Sequence, residues 1–183
     1  MSVATAEAIT TGSWKIDPIH SHVGFAVKHM VVSSFRGRFE NYDGALRAAE
    51  DGSLSLEGSV DVDSIVVKDE NLAGHLESPD FFDSANYPQI RFASREVRVG
   101  EGGEVEIEGD LTIKDNTHAV TARGNITGPH VDIAGNDKIG VELEAVIDRR
   151  EYGLLWNAPL PKGGFALADD VKLQVTLELG REA

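Results

Sequence analysis

The stretch EVEIEGDLTI, residues 104–113, indicates the fold class of this 183-residue chain. Its odd-numbered positions hold apolar residues or glycine, and its even-numbered positions hold carboxylates and one threonine. Successive side chains of a β-strand point to opposite faces, so strict alternation is typical of a strand with one dry face and one wet face. The stretch therefore predicts a half-buried β-strand.

The same alternation recurs along the whole chain, in three long stretches and four shorter ones. They are SLSLEGSVDV (53–62), KIGVELEAVID (138–148), DVKLQVTLEL (170–179), HVGFAVKH (22–29), FRGRFENY (35–42), QIRFASREV (89–97) and AVTARGNI (119–126). One-sided alternation favours antiparallel pairing, because parallel sheets are buried on both faces. Closure into a barrel removes exposed sheet edges. We therefore predict an all-β fold, an eight-stranded antiparallel up-and-down barrel.

One segment, residues 68–89, departs from this pattern. Leu72, His75 and Leu76 are spaced as on one face of a helix. Ser78 and Pro79 then have the residue types of an N-cap and a first helical position, which predicts a second helix. A short helical segment in an all-β chain is expected to cover one end of the barrel, as a plug or a lid.

Composition limits the classes of function. The chain carries 17 basic and 31 acidic residues, a net charge of −14, which disfavours nucleic acid and anionic membrane surfaces. No stretch approaches the roughly 20 apolar residues of a membrane span, so stable membrane insertion is not expected. It has no cysteine, so thiolate chemistry is excluded. Residues 1–12 lack the charged and apolar regions of a signal peptide. We expect a disordered N-terminus over 1–12, a single domain over 13–180 and a cytoplasmic location.

The lumen of an eight-stranded barrel is either filled by side chains or holds one small ligand. Several positions predicted to face inward are small: Gly58, Gly109, Ala122, Gly124 and Ala145. Small residues leave space for a ligand, but glycines also ease strand curvature, and the pattern leaves both interpretations open. The other inward positions are aliphatic or aromatic, which favours a lipid-like chain over a sugar or nucleotide.

Four stretches resemble the YceI-like family of polyisoprenoid-binding proteins. They are residues 14–39, residues 75–94, GDLTIK at 109–114 and DRREYGL at 148–154, and the resemblance extends over residues 14–179. It implies a lipocalin-like barrel, often a homodimer, whose apolar tunnel holds a polyisoprenoid, an isoprenoid quinone or a similar lipid. The family usually implies no catalysis. No cofactor beyond that bound lipid is therefore expected.

Two departures from the family pattern fall near the expected head-group end of the ligand. Leu72 and Ala73 stand where the family has arginine and aspartate. The turn at residues 114–117 reads Lys-Asp-Asn-Thr in place of Lys-Gly-Val-Thr. The resemblance therefore implies the barrel more firmly than the chemistry of the head group.

The candidate ligand contacts are the inward strand residues, the apolar helix face, two phenylalanines that could form a lid and one loop tryptophan. They are Phe25, Val27, His29, Phe35, Phe39, Leu72, His75, Leu76, Phe81, Phe82, Phe92, Leu111 and Trp156. Arg36 and Arg38 could hold an anionic head group, although exposed arginines on a strand are more often simply solvated.

Three histidines within ten residues, His20, His22 and His29, suggest a metal site, for which His75 or His118 could supply a further ligand. On a strand, His29 points to the face opposite to that of His20 and His22, so the three side chains do not converge. We therefore expect hydrogen-bonded histidines at the barrel rim and no metal. Two further alternatives remain at this point. One is a filled, ligand-free barrel with a stress-related or interaction role, and the other is a small β-barrel enzyme.

Overall fold

The computed structural model describes residues 9–183, which contain eleven strands in one antiparallel sheet and one α-helix, α1 at Glu70–Glu77. The strands are β1 Gly12–Ile16, β2 His22–His29, β3 Ser33–Phe39, β4 Tyr42–Ala48, β5 Leu54–Asp61, β6 Ile65–Val66, β7 Gln89–Val99, β8 Glu104–Ile113, β9 Asn116–Val131, β10 Asp137–Asp148 and β11 Leu167–Arg181. Within the described residues, no helix has the length and apolar character needed to span a membrane.

Eight of these strands close into a barrel. The ring runs β1-β4-β5-β7-β8-β9-β10-β11, and β11 pairs back onto β1. Closure is made by three residue pairs, from Trp14 opposite Arg181 to Ile16 opposite Leu179. Every strand pair is antiparallel, and most ring neighbours are consecutive in the chain. The predicted eight-stranded antiparallel barrel is therefore confirmed.

The eight predicted strands are not quite the eight strands of the ring. The short strands β1 and β4 belong to the ring but were not predicted. Alternation is too brief at β1, and the predicted stretch 35–42 reaches only the first residue of β4, Tyr42. Strands β2 and β3 instead form a hairpin that extends the sheet from β11, with β6 at its far edge. The long β11 pairs with β1 only at residues 179–181, so residues 167–176 remain free to pair with β2.

The helix α1 begins where Asp69 accepts a hydrogen bond from the backbone N–H of Leu72, at 3.1 Å. Such a cap satisfies one of the free N–H groups of the first turn. The helix ends at Ser78, whose hydroxyl donates to the carbonyl of His75 at 2.6 Å. Ser78 is thus a C-cap, and the predicted second helix with Ser78 as its N-cap was wrong.

The chain after Ser78 forms turns because both Phe81 and Phe82 are buried. Neighbouring residues on a helix point about 100° apart, so a helix would not bury both rings against the same core. Asp83 adopts a left-handed conformation at φ 50°, and Phe82 donates its N–H back to the carbonyl of Leu76 at 2.9 Å. Tertiary burial therefore overrides the local helix signal.

The lumen is filled at one end of the barrel. At two of the small inward positions, glycine is needed because its neighbours pack too closely for a side chain. A Cβ on Gly124 would lie 1.7 Å from the carbonyl oxygen of Glu142, and a Cβ on Gly109 would lie 2.5 Å from the ring of Phe92. The fully packed end is built from inward residues of seven ring strands. They are Trp14, Leu46, Leu56, Val105, Ile107, Ile126, Ile139, Val141, Leu143, Leu177 and Leu179.

Of the N-terminal residues predicted to be disordered, 1–8 lie outside the described residues. The backbone carbonyls of Thr10 and Thr11 accept hydrogen bonds from the indole of Trp14, at 3.0 Å, and from Arg181, at 2.9 Å. The predicted disorder therefore does not extend to Thr10 and Thr11, because side chains at the barrel closure bind their backbone.

A buried arginine holds the long connection between β10 and β11. Arg149 is only 4% exposed. Its Nε donates to the carbonyl of Ala168 at 2.8 Å, and its Nη1 donates to those of Leu154 at 2.6 Å and Trp156 at 2.9 Å. Burial lowers the pKa of Arg149, whereas the nearby Asp169 raises it. The charged guanidinium therefore satisfies three backbone carbonyls that secondary structure leaves without partners.

Arg149→Met keeps much of the side-chain volume and removes every donor, so three carbonyls lose their partners. We expect a loss of unfolding free energy of about 3 kcal/mol or more, measured by urea denaturation. The control is Arg150→Met, which removes exposed ion pairs with Asp148 and Asp169 and should cost much less, because solvent screens exposed pairs. Equal losses for the two variants would contradict the anchoring role of Arg149.

Candidate functional site

The end of the barrel that α1 covers is hollow. A cavity of about 520 Å³ lies there, within the range of roughly 300–1,000 Å³ that is typical of ligand pockets. All thirteen residues predicted as ligand contacts line this cavity, on β2, β3, α1, the turn after it, β7, β8 and the connection to β11. Of the small inward residues, Gly58, Ala122 and Ala145 also line it. Their placement agrees with the predicted site, whereas ligand contact itself stays a prediction.

Phenylalanines from the β2–β3 hairpin form one wall. Phe25, Phe35 and Phe39 face inward because they occupy alternate positions on the two paired strands. The ring centroid of Phe25 lies 6.2 Å from that of Phe35 and 6.0 Å from that of Phe39. Gly37 makes room for this arrangement, since a Cβ there would lie 2.5 Å from the ring of Phe25. The three rings together give this side of the cavity an apolar aromatic wall.

A second aromatic group connects α1 to the β10–β11 connection across the cavity. The ring centroids of His75 and Trp156 lie 4.9 Å apart, and those of His75 and Phe81 lie 5.1 Å apart. The Nε2 atom of His75 also lies 3.1 Å from the Oδ2 atom of Asp80. His75 therefore presents its ring to the cavity while its outer nitrogen contacts an exposed carboxylate, as the predicted helix face implied.

The cavity reaches the surface beside the β2–β3 turn. Met30 lines the cavity and is exposed, and its N–H donates to the carbonyl of Ala166 at 2.8 Å. Met30 and Val31 have φ values of 51° and 68°, a left-handed conformation that is strained for a β-branched residue such as Val31. Val32 and Phe165 add further exposed apolar side chains. We call this apolar opening the mouth.

Several lining residues were not among the predicted contacts. The inward residues of β10 and β11, such as Ile147, Val171 and Leu173, are visible in the alternation and could have been included. Arg149 is different, because nothing in the local pattern of DRREYGL distinguishes a buried arginine from an exposed one. Eight titratable residues contribute to the lining, although the surface that faces the cavity is almost wholly apolar. They are His29, Tyr42, Asp43, Glu57, His75, Arg91, Glu144 and Arg149.

Arg36 and Arg38 lie on the outer face of β3, opposite in parity to the inward phenylalanines. Both are exposed, and Arg38 contacts Glu40 at 3.1 Å. The structure does not bring either guanidinium to the cavity, because alternation on β3 directs both away from it. Their predicted contact with a head group therefore gains no support from the structure.

The three clustered histidines have separate surroundings. The Nδ1 atom of His20 lies 2.8 Å from the Oδ2 atom of Asp17, and this hydrogen bond, followed by the charge of Glu178, raises the pKa of His20. His22 is exposed on the outer face of β2, and His29 lines the cavity. Asp17, His20 and Glu178 are close enough to share an ion, but Lys138 already supplies a cation 3.6 Å from Glu178.

Comparison with known proteins identifies the family. The model of the YceI-like domain matches residues 14–179. A UPF0312 protein of Staphylococcus epidermidis is 30% identical over 168 residues, which cover 90% of this chain and 95% of that protein.

Two solved structures have the same fold. BcnA of Burkholderia cenocepacia superposes with a TM-score of 0.75 at 21% identity, covering 89% of this chain and 98% of BcnA. A polyisoprenoid binding domain from Saccharophagus degradans gives a TM-score of 0.67 at 13% identity, covering 92% and 98% of the two chains. The family match, the staphylococcal relative and the shared barrel agree: this chain belongs to the YceI-like family.

Proposed function

We propose that this protein binds a long apolar ligand, a polyisoprenoid, an isoprenoid quinone or a similar lipid, and acts as its carrier, store or sequestering protein. The observation that carries the proposal is the apolar cavity at one end of a barrel whose other end is fully packed. Protein interiors are otherwise close-packed, with few voids larger than a water molecule. The Saccharophagus domain of the same fold is itself described as polyisoprenoid binding.

The binding energy would come from burial of the ligand. Each methylene removed from water contributes roughly 0.8 kcal/mol, so a prenyl chain needs few polar contacts to bind tightly. The aromatic wall around Phe25 and the aliphatic residues of β11 offer the matching surface. The contact between His75 and Trp156 is a non-covalent connection across the cavity, so displacement of residues 70–87 would admit the ligand.

Catalysis is no part of the proposed function. General acid–base or nucleophilic chemistry requires titratable groups that converge on one reacting atom. The titratable lining residues are spread over five strands, α1 and the β10–β11 connection, and Arg149 is engaged by backbone carbonyls. A homodimer and a cytoplasmic location, which the resemblance and the sequence suggested, stay predictions.

Ligand uptake is the direct test. The purified protein is incubated with farnesol, a short prenyl alcohol, or solanesol, a long one, and measured by native mass spectrometry. We expect a one-to-one adduct with at least one of them, because the cavity is apolar and of ligand size. Bare protein in every case would contradict lipid binding and favour the alternative of a barrel without a ligand.

Phe25→Arg places an unpaired charge in the cavity wall and should lower affinity for the bound prenyl alcohol by about a hundredfold or more. The control His22→Arg adds a similar charge on the outer face of the same strand and should leave affinity unchanged. Circular dichroism checks that both variants fold. A folded Phe25→Arg protein with unchanged affinity would contradict the cavity as the binding site.

Tryptophan fluorescence locates the ligand independently, because the chain has two tryptophans in different surroundings. Trp156 lines the cavity, whereas Trp14 lies in the packed end. We expect ligand binding to change the emission of the unaltered protein and of Trp14→Phe, but not of Trp156→Phe. Emission that responds only through Trp14 would place the ligand elsewhere.

A further inference from the structure

The barrel wall is split between two neighbouring strands. Strands β9 and β10 pair from Val131 opposite Asp137 to Arg123 opposite Glu144, and the pairing stops there. Beyond that point β9 continues in register with β8 alone, and β10 continues with β11 alone. Residues 116–122 and 145–148 are therefore strands without a partner across the split. In a closed barrel such a place exposes backbone donors and acceptors that ordinary pairing would satisfy.

A groove of about 610 Å³ occupies the split, with Thr121 on one side and Val146 on the other. Four residues, Val120, Glu144, Ala145 and Ile147, line both this groove and the apolar cavity. Only one layer of side chains therefore separates the two spaces. At Ala145 that layer is no thicker than a methyl group.

Tyr152 lines the groove and carries a buried hydroxyl without a hydrogen-bond partner among the described residues. The side chain is only 1% exposed. The ring of His118 holds it in place, with centroids 5.1 Å apart. Burial raises the pKa of Tyr152 to about 12, so the hydroxyl keeps its proton. A buried donor without a partner is costly, and a ligand oxygen would remove that cost.

The charges around the groove favour an uncharged ligand group. Glu144, Asp148 and Glu151 contribute three carboxylates, whereas Arg123 and Lys172 contribute two cations. Lys172 already contacts Glu144 at 3.3 Å. A phosphate or pyrophosphate would meet excess negative charge here, on a chain whose net charge is −14. A hydroxyl or a carbonyl meets no such repulsion.

We propose that the split between β9 and β10 is a second opening of the cavity and binds the uncharged, oxygen-bearing end of the ligand, a hydroxyl or carbonyl group. This inference rests on the proposed function. The apolar chain of the ligand runs from the split through the cavity toward the mouth. The split thus favours prenyl alcohols and quinone-type lipids over prenyl phosphates and over hydrocarbons without an oxygen.

The first test compares farnesol with farnesane, the saturated hydrocarbon of the same carbon skeleton, on the unaltered protein and on Tyr152→Phe. The variant removes only the unpartnered hydroxyl. We expect its affinity for farnesol to fall about tenfold and its affinity for farnesane to stay the same, as the loss of one buried hydrogen bond predicts. Equal changes for the two compounds, or no change for either, would overturn the role of Tyr152.

The second test does not depend on that variant. Val146 and Val131 are 64% and 68% exposed, and Val131 lies at the far, paired end of β9. In the cysteine-free chain, Val146→Cys and Val131→Cys are labelled with a maleimide in the presence of farnesol. We expect bound farnesol to slow labelling at position 146 several-fold and to leave position 131 unchanged.

The outcomes separate the two proposals. Farnesol bound by mass spectrometry, with position 146 labelled at the same rate as without ligand, overturns the second opening and leaves the proposed function intact. A protein that binds neither farnesol nor farnesane overturns the proposed function and this inference with it. Farnesyl phosphate bound more tightly than farnesol would contradict the preference for an uncharged group.

Discussion

The backbone pairing of β11 supports nearly every other feature of the structure. This strand of fifteen residues pairs with β10 on one side along residues 170–180. On its other side it pairs with two strands, with β1 at residues 179–181 and with β2 at residues 167 and 171–176. A strand buried between neighbours in this way cannot move without breaking ladders on both sides. The ring and the β2–β3 hairpin are therefore one cooperative unit.

This sharing explains why the barrel has two unlike ends. Where β1 closes the ring, Trp14 and its aliphatic neighbours fill the lumen completely. Where the hairpin replaces β1, the wall swings outward and α1 and the β10–β11 connection cover the space. The helix α1 contacts the β10–β11 connection through side chains, with His75 against Trp156. The connection itself is held by Arg149 and by the backbone hydrogen bond from Met30 to Ala166. The hollow end is thus covered by elements that local opening could displace, which the proposed uptake of a ligand needs.

The strands and the cavity wall could be predicted because both depend on a local periodicity. Alternation assigns each strand residue to a face, and the seven predicted contacts on β2, β3, β7 and β8 line the cavity for that reason, as the three on α1 do through the helical period. The errors have non-local causes. Burial of both Phe81 and Phe82 prevents the second helix that Ser78 and Pro79 suggested. The burial of Arg149 depends on carbonyls up to nineteen residues away, which no local pattern reveals. Which strands close the ring depends on which part of β11 pairs with β1 and which part pairs with β2.

The sequence by itself determined the all-β class, the inward and outward face of each long strand, and an apolar lumen, because side-chain parity is a property of a single strand. Family membership was likewise visible in the residues of four short stretches. Only the tertiary structure decided which strands close the ring, that one end of the lumen is filled, and that β9 and β10 separate beyond the pair of Arg123 and Glu144. These features depend on pairing and packing between residues far apart in the chain.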